Sequence, residues 1–184
     1  MSTRIRILGI LSLAAFLAAV PLRAQTTASG TLNVTLQNGS GLLMVLNSDS
    51  SGVTLTNAGT SAATLAFGTV GAYGSLPANV TRTNQTTTFT ISTYFDVNVQ
   101  DSGITSSNYT LSASLSSAAP TGVTIQLGSV TLTTTSQNIS TTNAYGTNVQ
   151  QTLSAVISTA ASGSGGPTTG TQLTDTINLV ATSN

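Results

Sequence analysis

Histidine, cysteine, tryptophan, lysine and glutamate are all missing from this chain of 184 residues, and four basic and four acidic residues make up its entire charge. The basic residues are Arg4, Arg6, Arg23 and Arg82; the acidic ones are Asp49, Asp96, Asp101 and Asp175. Each absence removes a class of chemistry. Without histidine or cysteine there is no Ser–His–Asp or Cys–His arrangement and no His/Cys zinc site. Without cysteine there is no disulfide. General acid–base work is left with four aspartates and four tyrosines. Nucleic-acid or phosphate binding draws on many cations, which four arginines do not supply. Without lysine there is no lysine-based isopeptide cross-link. The composition argues against an enzyme, against a cofactor and against a nucleic-acid partner.

What is present begins with a targeting segment. Residues 1–6 carry Arg4 and Arg6, residues 7–20 (ILGILSLAAFLAAV) are continuously apolar, and Pro21-Leu22-Arg23-Ala24 ends on a small residue. This order reads as a secretory signal peptide over residues 1–24, cleaved after Ala24. The apolar run falls short of the roughly 18–20 residues of a membrane-spanning helix. No cysteine follows the cleavage point for a lipid anchor. The expected mature protein is secreted, has no membrane span and carries Arg82 against four aspartates. Its length is enough to bury one core without cross-links.

Roughly a third of the chain is serine plus threonine, and β-branched threonine and valine favour strands over helices. Residues 87–100 (TTFTISTYFDVNVQ) alternate strictly. Phe89, Ile91, Thr93, Phe95, Val97 and Val99 fall on one face; Thr90, Ser92, Tyr94, Asp96 and Asn98 fall on the other. That period of two predicts a long, half-buried strand. Shorter alternations recur around Tyr109–Leu115, Val123–Leu127, Val130–Thr134, Leu153–Ile157 and Leu173–Leu179. Residues 42–46 and 63–70 read as more continuously apolar strands. Residues 135–147 and 160–171 read as connections. No helical periodicity follows Ala24, so the fold class expected is all-β, one sandwich or barrel over residues 39–184.

Ahead of that domain, residues 31–37 (TLNVTLQ) place Leu32, Val34 and Leu36 on one face and Asn33, Thr35 and Gln37 on the other. Asn38-Gly39-Ser40-Gly41 follows, and two readings stay open. Asn38-Gly39 is a type I′ hairpin signal that would fold the strand back within one molecule. Alternatively Gly39 and Gly41 are a hinge, and residues 25–38 project to complete the sheet of a neighbour. Of the lesser candidates, residues 47–52 read as a solvated turn because they lack the carboxylates of a calcium loop. Asp96 and Asp101 bracket the end of the long strand. Arg82 reads as a solvated cation.

Several segments resemble, in order, the secreted pilin and spore coat protein U group of donor-strand-assembled fimbrial subunits. Ala28-Ser29-Gly30-Thr31-Leu32-Asn33-Val34-Thr35 is similar to that group's opening strand. Leu65-Ala66-Phe67-Gly68-Thr69-Val70 is similar to its short "FGT" strand, and Tyr109-Thr110-Leu111-Ser112 to its "YT(V/L)S" strand. Residues 170–180 (GTQLTDTINLV) resemble its closing strand. The cysteines common near that group's first strands are missing here. The resemblance implies an immunoglobulin-like sandwich that lacks one strand and polymerises head to tail into a pilus or fibre on the cell surface. Leu32, Val34 and Leu36 of one subunit would fill an apolar groove in the next, with Phe89, Ile91, Ile177 and Leu179 as groove candidates. Its partners would be identical subunits and, if assembly is assisted, a chaperone and usher. The competing reading is a monomeric secreted β-sandwich that binds a surface glycan or protein.

Overall fold

The computed structural model describes residues 41–160, Pro167 and residues 172–184. Every regular element among them is a strand. In chain order these are β1 (Gly41–Ser48), β2 (Thr81–Asn84), β3 (Thr88–Ser102), β4 (Asn108–Leu115), β5 (Val123–Leu127), β6 (Val130–Thr131), β7 (Gln137–Ala144), β8 (Asn148–Ser158) and β9 (Ile177–Ser183). Two antiparallel sheets result. The larger runs β1-β3-β8-β5-β6, with β2 beside the first part of β3; the smaller runs β7-β4-β9. The molecule is an all-β sandwich.

The organising strand is β3, and its sequence shows why. Its alternate residues from Phe89 to Val99 are buried while those between are half-exposed, as the period of two requires. Phe95, Val97 and Val99 face Tyr109, Leu111, Ala113 and Leu115 of β4 across the main core, which also takes in Leu127, Leu132 and Leu153. Val53, Val80, Phe89, Ile91, Ala155 and Ile157 form a second cluster around the start of β3. Between the two clusters sits Thr93, buried to 1% exposure on the same face.

A hydroxyl in that position needs partners, because an unpaired buried polar group costs about 1–3 kcal/mol. Thr93 Oγ1 accepts the Val53 N–H at 2.9 Å and donates to the Asn79 carbonyl at 2.8 Å. The Asn79 side-chain amide in turn donates to the Gly52 carbonyl at 2.8 Å. The hydroxyl thus ties both ends of the long β1–β2 connection to the centre of the large sheet. Gly52 is pressed so close to that sheet that a Cβ there would stand 1.8 Å from the Tyr94 carbonyl oxygen.

Two expectations are corrected. Residues 63–70 do not form a strand; the only pairings nearby are isolated bridges, Leu46 to Thr60 and Thr56 to Thr64. Leu65 and Phe67 pack on both clusters and Val70 on the second, so the run is apolar because it caps the core. Gly68 turns it out of the extended region at φ 73°. Conversely, much of the expected connection 135–147 is β7, an edge strand whose register to β4 shifts twice, between Tyr109 and Ser112. Bulges of that kind break alternation along an edge, and β7 accordingly shows no regular burial pattern.

Candidate functional site

Among the described residues β1, β2, β6, β7 and β9 each pair with another strand on one side only, and two of them, β1 beside β3 and β9 beside β4, flank one opening. Their orientation follows from single hydrogen bonds. Ser116 N–H donates to the Thr176 carbonyl, and Asn184 N–H donates to the Asn108 carbonyl. Even-numbered residues here therefore point their main-chain groups toward β4. Along an antiparallel strand the direction reverses at each residue. Ile177, Leu179 and Ala181 thus direct N–H and C=O away from β4, while their side chains pack on the main core. On β1, Leu46 N–H donates to the Thr60 carbonyl and the Leu46 carbonyl accepts Gly59 N–H. By the same alternation Leu42 and Met44 point main-chain groups away from β3, and their side chains also meet the main core.

These two edges belong to different sheets and border a common groove of about 320 Å³, lined by Met44, Leu46, Ser61, Ala62, Ala63, Thr176, Ile177, Asn178 and Leu179. Its lining residues are apolar side chains with Ser61, Thr176 and Asn178, and none of them is charged. It offers apolar side chains below and main-chain donors and acceptors along its lips. That combination is the one by which an extended peptide adds to a sheet: ladder bonds supply affinity and alternate side chains entering the groove supply register. At its end Asp175 keeps one carboxylate oxygen on Thr176 N–H. The other is enclosed with no hydrogen-bond partner among the described residues.

The four groove residues anticipated from sequence divide into two pairs. Ile177 and Leu179 line the groove. Phe89 and Ile91 do not; they are 7% and 2% exposed in the second cluster, beside β2 and β8. The wall opposite β9 is supplied instead by Met44 and Leu46, with Ala63 closing one side. Gly41 is the first residue of β1 and pairs with Ser102. Leu32, Val34, Leu36 and Gly39 lie outside the described residues.

The charged residues behave differently from expectation in two places. Asp96 approaches Asp49 across the outer face of the large sheet, where burial first and the Asp49 charge second push its carboxyl above the ordinary range, partly offset by the Asn148 amide. Asp49 is held by Gln150 at 2.8 Å and caps its own turn through Ser51 N–H at 2.7 Å. Arg82 is not simply solvated: its guanidinium donates to the Gly71 carbonyl at 2.7 Å and the Gly74 carbonyl at 3.0 Å. The Asn84 amide donates to the intervening Ala72 carbonyl at 2.9 Å. Tyr109 and Tyr145 pack with ring centroids 5.4 Å apart. Their hydroxyls are buried without partners among the described residues, and burial followed by the Tyr145 neighbour raises the Tyr109 phenol.

No protein-family model matches the chain, and no curated protein matches it in sequence.

Proposed function

We propose that this protein is a structural subunit of an extracellular fibre or pilus, exported by residues 1–24 and polymerised when residues 31–37 of one copy enter the β1–β9 groove of the next. The observation that carries this reading is the groove itself: an apolar trough between the β9 edge and the Leu42–Met44 part of the β1 edge, neither of which has a ladder partner on that side among the described residues. Such an edge is a template for pairing with another chain. The sequence carries a matching alternation, with Leu32, Val34 and Leu36 set against Asn33, Thr35 and Gln37. Burying three aliphatic side chains supplies roughly 5–8 kcal/mol. Each ladder bond adds about 1 kcal/mol more. A contact in which one copy's extension fills another's groove does not close on itself, so it propagates as a filament. The immunoglobulin-like strand order with one strand supplied by the neighbour belongs to this same proposal.

Size exclusion and electron microscopy of the protein from Gln25 onward test it. Filaments or ladders are expected. Deleting residues 25–37 is expected to abolish them and to leave a monomer of lower stability. A wild type that never assembles, together with a deletion variant as stable as the parent, would overturn the reading.

A further inference from the structure

Asp175 carries its carboxylate on the apolar side of the chain. The burial pattern of β9, half-buried at Ile177, Leu179 and Ala181 and exposed at Asn178 and Val180, continues backward through exposed Thr176 to half-buried Asp175. With a period of two, the aspartate falls on the inward face, one step before Ile177, whose side chain packs on the main core. It stands just outside the groove lining, next to Thr176, which belongs to it together with Ile177 and Leu179. One carboxylate oxygen accepts Thr176 N–H at 2.7 Å. The other is enclosed and has no hydrogen-bond partner among the described residues. Arg82, the one basic residue among those described, is engaged by the Gly71 and Gly74 carbonyls.

An enclosed acceptor without a donor is costly, and more so when it is charged. That cost is relieved when a donor arrives with a partner, and the groove beside Asp175 decides which partner that is. The segment assigned to the groove, with its flanks (residues 25–40, QTTASGTLNVTLQNGS), has no acidic residue to repel the carboxylate. It holds side-chain donors in Thr31, Asn33, Thr35 and Gln37. An extended strand also presents main-chain N–H groups along its whole length, so a donor can meet Asp175 whichever way the strand runs. The terminal torsion of aspartate is broad, so the carboxyl can turn its free oxygen toward an arriving donor.

We propose that Asp175 is a specificity residue of the subunit joint: its free oxygen accepts an N–H or O–H of the strand inserted from the next copy of this chain. This inference rests on the fibre reading above. In the free subunit the oxygen is a liability, and in the filament it is satisfied. The residue therefore weakens the isolated subunit and strengthens the joint.

The test compares the wild type with Asp175→Asn, both from Gln25 onward, by two readouts: the critical concentration for assembly, from sedimentation, and the melting temperature of the monomer below that concentration. The substitution is isosteric. Its amide carbonyl can keep the Thr176 N–H, while an NH2 donor replaces the free oxygen. The critical concentration is expected to rise roughly tenfold, the scale of one hydrogen bond to a charged group. The monomer should melt no lower than wild type, because an enclosed charge has been removed. A merely structural aspartate would not move the two readouts apart in this way. An unchanged critical concentration would overturn the proposal while leaving strand insertion intact. So would a lower melting temperature, which would mean that the oxygen is already satisfied within its own subunit. A wild type that forms no filaments would overturn both readings.

Discussion

Thr93→Val is expected to cost about 2–4 kcal/mol of folding stability, although it replaces a buried polar side chain with an apolar one of similar shape. The reason is what the hydroxyl leaves behind. Val53 N–H and the Asn79 carbonyl both bond Thr93 Oγ1 in the interior, and each becomes a buried group without a partner, at about 1–3 kcal/mol apiece. The effect should spread, because Asn79 also holds the Gly52 carbonyl, and Gly52 sits where no side chain fits against Tyr94. Thr93→Ser keeps the hydroxyl and gives up only a methyl, about 0.8–1 kcal/mol. Urea unfolding in a non-assembling background should therefore rank wild type above Ser and Ser above Val, with little change in the m-value. A valine variant as stable as wild type would mean that the connection is not held through this residue.

The second large effect concerns assembly. Val34→Asp is expected to eliminate filaments without unfolding the sandwich. Val34 is the middle of the three aliphatic side chains assigned to the groove. Aspartate there loses about 1.5–2 kcal/mol of apolar burial and would bring a carboxylate into a groove whose lining has no cation to meet it. Desolvating that charge adds at least 2 kcal/mol more. The joint should weaken by at least about 3.5 kcal/mol, a few hundredfold in dissociation constant. Sedimentation velocity at concentrations where the wild type is fully polymeric should show monomers. Filaments of normal length from Val34→Asp would exclude Val34 from the joint.

How much of this was legible in the sequence depended on whether burial alone decided the pattern. In β3 it did: one face meets both clusters along most of the strand, so Phe89 through Val99 alternate visibly. β7 lies at the edge of the small sheet, is shifted in register by bulges and has little apolar content beyond Ile139, so nothing periodic marked it. Residues 63–70 misled in the opposite sense, since a chain capping a core needs apolar side chains as much as a strand does. The groove was half legible. Ile177 and Leu179 show alternation in the last strand, but Met44, Leu46 and Ala63 join them only because β1 and β9 end up as edges of different sheets. Phe89 and Ile91 share a strand face with residues nearer the groove yet belong to the other end of it. Arg82 gave no signal, because a bond to a carbonyl eight or eleven residues away depends on the loop's path and not on any spacing of side-chain types.

The poverty in charge also takes on a physical meaning. The groove has no titrating side chain, the lone arginine after residue 24 is engaged by carbonyls, and the aspartates lie outside the groove lining. Apolar contact and main-chain hydrogen bonds are what this surface has to offer a partner. The most direct test of that account asks whose strand occupies the groove. The chain has no cysteine, so a variant carrying Val34→Cys and Leu179→Cys has only those two thiols. Treated with a short bismaleimide and run on a denaturing gel, it should give a covalent ladder of dimers, trimers and longer species, because each link joins two different copies. A single monomer band with the two cysteines joined inside one chain would show that residues 31–37 fold back on their own molecule, and would contradict the fibre.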